Sequence, residues 1–255
     1  MDSFDLGLRT HRLRTIGILG GMGPEATARL FERIVALTPA QQDQAHVPVQ
    51  ICNLPQIPDR TAAIQGRGES PVPLAGKGLQ LLANSGAEVI AIPCNSIHHF
   101  FPELQASVAV PLLHLIEEVR RAATLRWPNA RRLGLLATDG MIQSGVYQNL
   151  FAPNCEILVP DAERQQEVMA AIYAIKAGKK SFRAALAAGR DLIEQRAEGI
   201  ILGCTEFSLV QNYLAGDLPV IDSVEILAQA CVDMARGVRE VPEIISDSPR
   251  GIRRN

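Results

Sequence analysis

Two cysteines close matching apolar segments of this 255-residue sequence. Residues 87–96 read AEVIAIPCNS and residues 197–206 read AEGIILGCTE, which puts Cys94 and Cys204 at equivalent places 110 positions apart. A single cysteine at the end of a buried strand is usually a small packing residue. Two cysteines at matched positions of a repeat, each followed by polar residues, favour a functional role instead.

Two thiols that face each other across a small molecule suit the inversion of a stereocentre. One group must remove a proton from one face, and the other must deliver a proton to the opposite face. If the reaction runs both ways, the two groups must be chemically alike and exchange roles, as a thiol and a thiolate can. An unperturbed cysteine has a pKa of about 8.5, so a nearby cation or helix N-terminus would raise its thiolate fraction.

Polar residues directly after each cysteine are candidates for binding a carboxylate. They are Asn95 and Ser96 in the first half, and Thr205 and Glu206 in the second. Hydroxyl and backbone N–H groups at the start of a helix bind carboxylates well. The other three cysteines are interpreted as packing residues.

A glycine-rich loop, GILGGMGPEA at 17–26, follows the first predicted strand. Such loops bind phosphates in dinucleotide enzymes, but the spacing here is GxxGGxG rather than GxGxxG, and no acid closes the second strand. A small carboxylate held by backbone N–H groups around Met22 and Gly23 is the more economical interpretation.

Charged residues elsewhere leave alternatives open. Asp59 and Arg60 end the second strand region, where Arg60 is equally well explained as a bidentate carboxylate ligand or as a solvated cation. Lys176 lies near the end of a helix, a place that favours lysine without any ligand. His98 and His99 follow Cys94, but the sequence shows no second set of metal ligands to complete a site with them. We therefore expect helical histidines and no metal site.

Short apolar segments alternate with longer amphipathic ones, a pattern typical of a parallel α/β sheet. The predicted strands are 15–20, 47–52, 88–94, 132–140 (which runs into a loop), 155–160 and 199–204. The first three are expected to be buried on both faces. The predicted helices are 24–38, 73–86, 165–178, 181–199 and 223–238.

The second half repeats the plan of the first. TIGILGGMG at 15–23 resembles RLGLLATDG at 132–140, and each is followed about 70 to 80 residues later by its cysteine. We therefore expect two pseudo-symmetric α/β lobes with the active site in the cleft between them. The expected lobes are 14–111 plus 218–240, with Cys94, and 112–217, with Cys204; the termini 1–13 and 241–255 are expected to be flexible.

Composition bounds the class of protein. Hydrophobic residues make up 47% and charged residues 20%, with a formal net charge of −2, which does not favour a nucleic-acid or membrane partner. The five cysteines form no CxxC pair, and the start of the chain lacks the apolar segment of a signal peptide. The sequence therefore predicts a cytoplasmic protein with free thiols.

Motifs in both halves resemble the aspartate/glutamate racemase superfamily, and most closely its cofactor-independent aspartate racemase branch. They are IGILGGMGPEAT, NLPQIPDRTAAI, PCNSIHHF, LLAT…SGVY, IKAG and GCTE, which together span about residues 14 to 236. The resemblance implies two α/β lobes, catalysis without pyridoxal phosphate or metal, and a homodimer.

The same resemblance assigns roles to individual residues. Cys94 and Cys204 would be the two acid/base groups, assisted by Asp59 and Glu206. Arg60 and Lys176 would hold the side-chain carboxylate of the substrate. The remaining substrate-binding residues would be Met22, Gly23, Asn95, Ser96, Thr138 and Thr205.

Two positions depart from the pattern of the family. Ser96 stands where threonine is usual, so a hydroxyl is kept and a methyl group is lost. Met141 stands where the family often has threonine, which would remove a polar contact. Both departures bear on the identity of the substrate.

The sequence thus favours an amino-acid racemase that interconverts L- and D-aspartate with two thiols. Glutamate differs by one methylene, typically worth only about 1–3 kcal/mol of discrimination, so a glutamate or dual-specificity racemase is the nearest alternative. A dicarboxylate-binding protein without catalysis is the rival from another class. A nucleotide-dependent dehydrogenase is a third, weaker hypothesis.

Overall fold

Two parallel β-sheets organise the protein, whose computed structural model describes residues 12–242. The first sheet has the strand order β2-β1-β3, and the second has the order β5-β4-β6-β7. The strands are β1 (Ile16–Gly20), β2 (Val49–Asn53), β3 (Val89–Ala91), β4 (Arg132–Leu136), β5 (Glu156–Leu158), β6 (Ile200–Leu202) and β7 (Val220–Asp222). The predicted α/β fold is confirmed.

Helices connect the strands and cover the sheets. They are α1 (Pro24–Leu37), α2 (Arg60–Ile64), α3 (Val72–Asn84), α4 (Phe101–Ala106), α5 (Leu115–Arg126), α6 (Asp139–Gln143), α7 (Val146–Phe151), α8 (Ala162–Lys176), α9 (Arg183–Glu194), α10 (Gln211–Leu214) and α11 (Ser223–Ala235). Short 3-10 turns follow the two cysteines, at Ser96–Phe100 and Thr205–Leu209.

The two halves share the same strand arrangement. In each half the first strand lies at the centre, the second on one side, and the strand leading to the cysteine on the other. Gly17 in β1 and Gly134 in β4 are equivalent: an added Cβ would lie 2.9 Å from Ala87 Cβ at one and 2.6 Å from Ile200 Cδ1 at the other. The repeat in the sequence therefore corresponds to a repeated unit of structure.

Strand β2 is less buried than the sequence predicts. Ile51 is 44% exposed, and none of the five β2 residues is fully buried. The physical reason is its place at the edge of the first sheet, where β1 is its only neighbouring strand in the described part of the chain. The apolar segment 47–52 does not reveal this, because edge and central strands have similar compositions.

The C-terminal elements divide between the halves differently from the prediction. Strand β7 pairs with β6, so residues 220–222 belong to the second sheet rather than to the first lobe. Leu112, predicted to open the second lobe, instead forms a parallel bridge with Ile90 of the first sheet. Helix α11 does pack back on α1, as predicted, and also on α5.

One large core extends across both halves. It joins residues of β1, such as Ile16 and Ile18, to β4 residues, such as Leu135, and to the buried face of α11. Within residues 12–242 no helix is both long and apolar enough to cross a membrane. The termini predicted to be flexible lie almost wholly outside the described residues.

Candidate active site

Both repeat cysteines line one small cavity between the two sheets. Cys94 lies three residues beyond β3, and Cys204 lies two residues beyond β6, so each follows the carboxyl end of an equivalent strand. Both side chains are buried, at 5% and 4% exposure. Eleven of the twelve predicted site residues line this cavity of about 20 Å³, together with Thr61 and Gly203.

A second, larger chamber adjoins the first. It has a volume of about 240 Å³, and it contains Gly23, the one predicted site residue that the inner cavity lacks. The two cavities share a wall formed by Met22, Arg60, Lys176 and Glu206. The start of α1, including Glu25, lines the outer side. We call these spaces the inner cavity and the outer chamber.

Glu206 controls the surroundings of the Cys204 thiol. The thiol donates a hydrogen bond to Glu206 Oε2 over 2.9 Å. Burial raises the pKa of Cys204 well above its usual value, and the negative charge of Glu206 raises it further, whereas Lys176 lowers it. Glu206 Oε1 lacks a hydrogen-bond partner among the described residues and lies 3.9 Å from Lys176 Nζ.

Lys176 carries its positive charge at the last turn of α8. Burial by itself lowers the pKa of Lys176, but the negative charges of Glu206 and Cys204 outweigh this effect, and the pKa is raised. Lys176 therefore stays protonated near neutral pH, at the wall shared by both cavities. A substrate carboxylate that reached this wall would meet a full positive charge.

Substituting Glu206 by glutamine is expected to lower the pKa of Cys204, because the carboxylate that disfavours the thiolate is removed. The pH profile of Cys204 alkylation, followed by mass spectrometry of its peptide, should then move to lower pH. Glu194, at the far end of α9, gives the matched control Glu194→Gln, which should leave the profile unchanged. An unchanged alkylation profile in Glu206→Gln would show that the charge of Glu206 does not affect the pKa of Cys204.

The loop after Cys94 is held by side chains of the second half. Asn95 Nδ2 donates to Ser223 Oγ over 3.1 Å, and the Tyr147 hydroxyl donates to Asn95 Oδ1 over 2.7 Å. Ser96 Oγ lies 2.9 Å from Thr138 Oγ1, within hydrogen-bond distance. These contacts fix three of the predicted binding residues, Asn95, Ser96 and Thr138, in one orientation.

His98 is a packing residue, as the sequence predicts. Burial lowers its pKa to about 3, so the ring is neutral near physiological pH. Its Nδ1 lies 2.8 Å from the Cys94 carbonyl oxygen, while Nε2 accepts from the Leu115 backbone N–H at 3.1 Å. No group of three His, Cys, Asp or Glu side chains suited to a metal occurs within residues 12–242.

Arg60 braces the loops around the inner cavity and keeps one nitrogen unpaired. Its Nη1 donates to the carbonyl oxygens of Ile57 and Pro58, and its Nη2 donates to that of Met22. The side chain is 9% exposed, yet Nε has no hydrogen-bond partner in the described part of the chain. A buried unpaired donor of this kind is costly unless a ligand satisfies it.

Asp59 differs from its counterpart Glu206. Its carboxylate caps α2 by accepting the Ala62 backbone N–H at 2.8 Å. Among the described contacts, no hydrogen bond joins Asp59 to Cys94. The two predicted acid–thiol pairs are therefore unequal, because only the Cys204–Glu206 pair is formed.

Comparison with known proteins identifies the family. The model of the Asp/Glu/hydantoin racemase family matches residues 19–231. The chain belongs to this family. It is 30% identical to the broad specificity amino-acid racemase RacX of Bacillus subtilis (strain 168), over 85% of this chain and 96% of RacX. A glutamate racemase of Aquifex pyrophilus is 26% identical over 58% of each chain.

Solved structures agree with this assignment. The aspartate racemase of Picrophilus torridus superposes with a TM-score of 0.77 at 31% sequence identity, covering 87% of this chain and 94% of that chain. The racemase fold and the arrangement of two parallel sheets are thus shared. The chain is accordingly an amino-acid racemase by family, that is, an isomerase.

The two departures from the racemase pattern have different structural consequences. Ser96 lines the inner cavity, and its hydroxyl pairs with Thr138. Met141 is fully buried in the core that joins the halves and does not line the cavity. The expectation that Met141 alters a direct contact with the substrate is therefore wrong.

Sequence reasoning missed residues that support the candidate site without lining its cavities. Tyr147 falls within the SGVY motif, and Ser223 begins a predicted helix, but the sequence pattern indicates no role in the site for either residue. Asp222 caps α11 by accepting the Val224 N–H, and it also accepts a hydrogen bond from Ser208 in the loop after Cys204. No local pattern signals such partners, because they lie 14 to 128 residues away in sequence.

Proposed function

We propose that this chain interconverts L- and D-aspartate by direct proton transfer between two thiols, without a cofactor. The observation that carries the proposal is the presence of Cys94 and Cys204 in one cavity, at the ends of equivalent strands. Family membership supports racemisation in general, whereas the thiol pair supports this particular mechanism.

In the proposed reaction the α-carbon of the substrate lies between the two sulfur atoms. The thiolate of one cysteine takes the α-proton, and the electron pair delocalises into the α-carboxylate. Donors of Asn95, Thr205 and the backbone near Met22 and Gly23 stabilise the added negative charge. The thiol of the other cysteine then delivers a proton to the opposite face, and the roles reverse in the return direction.

Two positively charged side chains favour a substrate with an acidic side chain. Arg60 offers its unpaired Nε, and Lys176 offers its ammonium group, both at the wall between the inner cavity and the outer chamber. A distal carboxylate would satisfy both groups through charge-assisted hydrogen bonds. A neutral side chain would leave the buried Arg60 nitrogen unpaired.

The outer chamber favours glutamate or broad specificity as the second candidate. Its 240 Å³ would admit the extra methylene of glutamate beyond the shared wall. The relative RacX is a broad specificity amino-acid racemase, which is consistent with this alternative. Aspartate remains the first candidate because the motifs most closely resemble the aspartate racemase branch, and because the aspartate racemase of Picrophilus torridus is 31% identical in sequence.

Substrate binding must enlarge the inner cavity. A space of about 20 Å³ holds roughly one water molecule, which is far smaller than an amino acid. We therefore expect the loops that carry Cys94 and Cys204 to separate on binding and to close again around the substrate. Closure would exclude water from the carbanion.

The test is proton NMR of L-aspartate, and separately of L-glutamate, in D₂O with purified protein and no added cofactor. Loss of the α-proton signal together with appearance of D-aspartate supports the proposal. Faster exchange of glutamate keeps the mechanism and changes the substrate. No exchange of either amino acid by folded protein sinks the racemase proposal for these substrates.

The same preparation tests the rival functions. A dicarboxylate-binding protein would keep its affinity for succinate after complete thiol alkylation and would exchange no α-proton. A dehydrogenase would gain thermal stability on adding NAD. A homodimer and a cytoplasmic location stay predictions; light scattering that gives twice the mass of one chain would support the dimer.

A further inference from the structure

Both ends of the Asn95 side-chain amide are hydrogen-bonded. Asn95 is 2% exposed, and the two hydroxyls bonded to its amide are fully buried. The oxygen accepts from Tyr147, and the nitrogen donates to Ser223. Neither Tyr147 nor Ser223 lines the inner cavity or the outer chamber. The two hydrogen bonds therefore direct the amide oxygen and one N–H of Asn95 away from the space where a substrate would lie.

This arrangement decides which atom of Asn95 remains for a ligand. The amide nitrogen carries two hydrogens, and Ser223 uses one of them. The oxygen accepts from the Tyr147 phenol, and because burial raises the pKa of Tyr147 the phenol retains the proton that it donates. An N–H of Asn95 is thus left for the inner cavity, where a carboxylate would be attracted rather than repelled.

We propose that Tyr147 and Ser223 are positioning residues that act through Asn95, keeping its oxygen away from the substrate carboxylate and one N–H toward it. This inference rests on the proposed function. During proton removal the carboxylate gains negative charge, so a misdirected amide oxygen would oppose the transition state more than the ground state.

The loops after the two cysteines are both hydrogen-bonded to the start of α11. Ser223 begins α11 and holds Asn95, which follows Cys94. Its neighbour Asp222 accepts from Ser208, which lies in the 3-10 turn after Cys204. The start of α11 therefore contacts both cysteine loops, through Ser223 on one and Asp222 on the other.

Tyr147→Phe removes only the hydroxyl that orients Asn95. We expect kcat/KM for aspartate to fall by about 10- to 100-fold, the loss that follows from one misplaced hydrogen bond to a charged group. The loss should appear mainly in kcat, because the interaction strengthens as charge develops. Tyr213→Phe, at a half-exposed tyrosine of α10, is the matched control and should leave both constants unchanged.

A double-mutant cycle separates positioning from general stabilisation. In the Asn95→Ala background, Tyr147→Phe should cause no further loss, because the residue through which it acts is gone. A structural role would lower kcat/KM by the same factor in both backgrounds, and that result would overturn the proposal. A wild-type rate in Tyr147→Phe would overturn it as well.

Ser223 provides a second route if Tyr147→Phe does not fold. Ser223→Ala should reduce kcat, whereas Ser223→Thr keeps the hydroxyl and should restore most of it. Equal activity of the two variants would contradict the proposal. Wild-type exchange of the α-proton is measured first: its absence would remove the proposed function itself, while normal exchange with insensitive Tyr147 and Ser223 variants would remove only this inference.

Discussion

Replacing Cys94 or Cys204 by alanine is expected to abolish interconversion of the enantiomers, with a loss of at least about 10³-fold, while each variant still exchanges the α-proton of one enantiomer. A single thiolate can remove a proton from its own face and return a deuteron there. It cannot reach the opposite face. The two variants should therefore exchange opposite enantiomers, because their sulfur atoms stand on opposite sides of the α-carbon in the proposed mechanism.

Proton NMR in D₂O of separate L- and D-aspartate samples measures this pattern directly. Cys155→Ala is the matched control, since Cys155 lies at a different cavity, near Trp127 and Leu150, and contributes nothing to the inner cavity. It should exchange both enantiomers at the wild-type rate. If either site variant still racemised aspartate, or if both exchanged the same enantiomer, the two-thiol mechanism would be wrong.

Lys176→Gln is expected to lower kcat/KM for aspartate by about 10- to 100-fold, because one hydrogen bond between charged groups is worth about 1.5–3 kcal/mol. The loss should be greater for a substrate with a negative side chain. Exchange of the α-proton of asparagine, which has the same shape without the charge, should fall less than that of aspartate. Lys180→Gln, an exposed lysine four positions further on, is the control.

The same variant makes an independent prediction about pH. Lys176 lowers the pKa of Cys204, so its removal should make the thiol keep its proton to higher pH. The alkylation profile of Cys204 should thus move in the direction opposite to that of Glu206→Gln. Equal losses for aspartate and asparagine would indicate that Lys176 acts on the thiol rather than on the distal carboxylate.

The repeated unit and the chemistry-bearing residues could be predicted from the amino-acid sequence. The strands leading to Cys94 and Cys204 were predictable because an apolar segment that ends in polar residues has a local signature. Helices α1, α3, α8, α9 and α11 were predictable within a few residues from their periodicity and their ends. The motifs then allowed the twelve site residues to be named, eleven of which line one cavity.

The predicted environment of some segments was wrong. Residues 47–52 have the composition of a central strand, but β2 lies at an edge, since nothing local indicates how many neighbours a strand will have. Residues 220–222 were assigned to the wrong sheet for the same reason. Strand pairing is a long-range choice that depends on which surfaces are left to cover.

The contacts that support the site depend on the three-dimensional fold. It brought Tyr147 and Ser223 to opposite ends of the Asn95 amide, and it formed the Cys204–Glu206 pair while leaving Asp59 as a helix cap. It also placed Met141 in the core and left Arg60 Nε without a hydrogen-bond partner among residues 12–242. Residue types and spacing indicate which groups can react, whereas orientation, burial and hydrogen-bond partners depend on contacts between residues far apart in the chain.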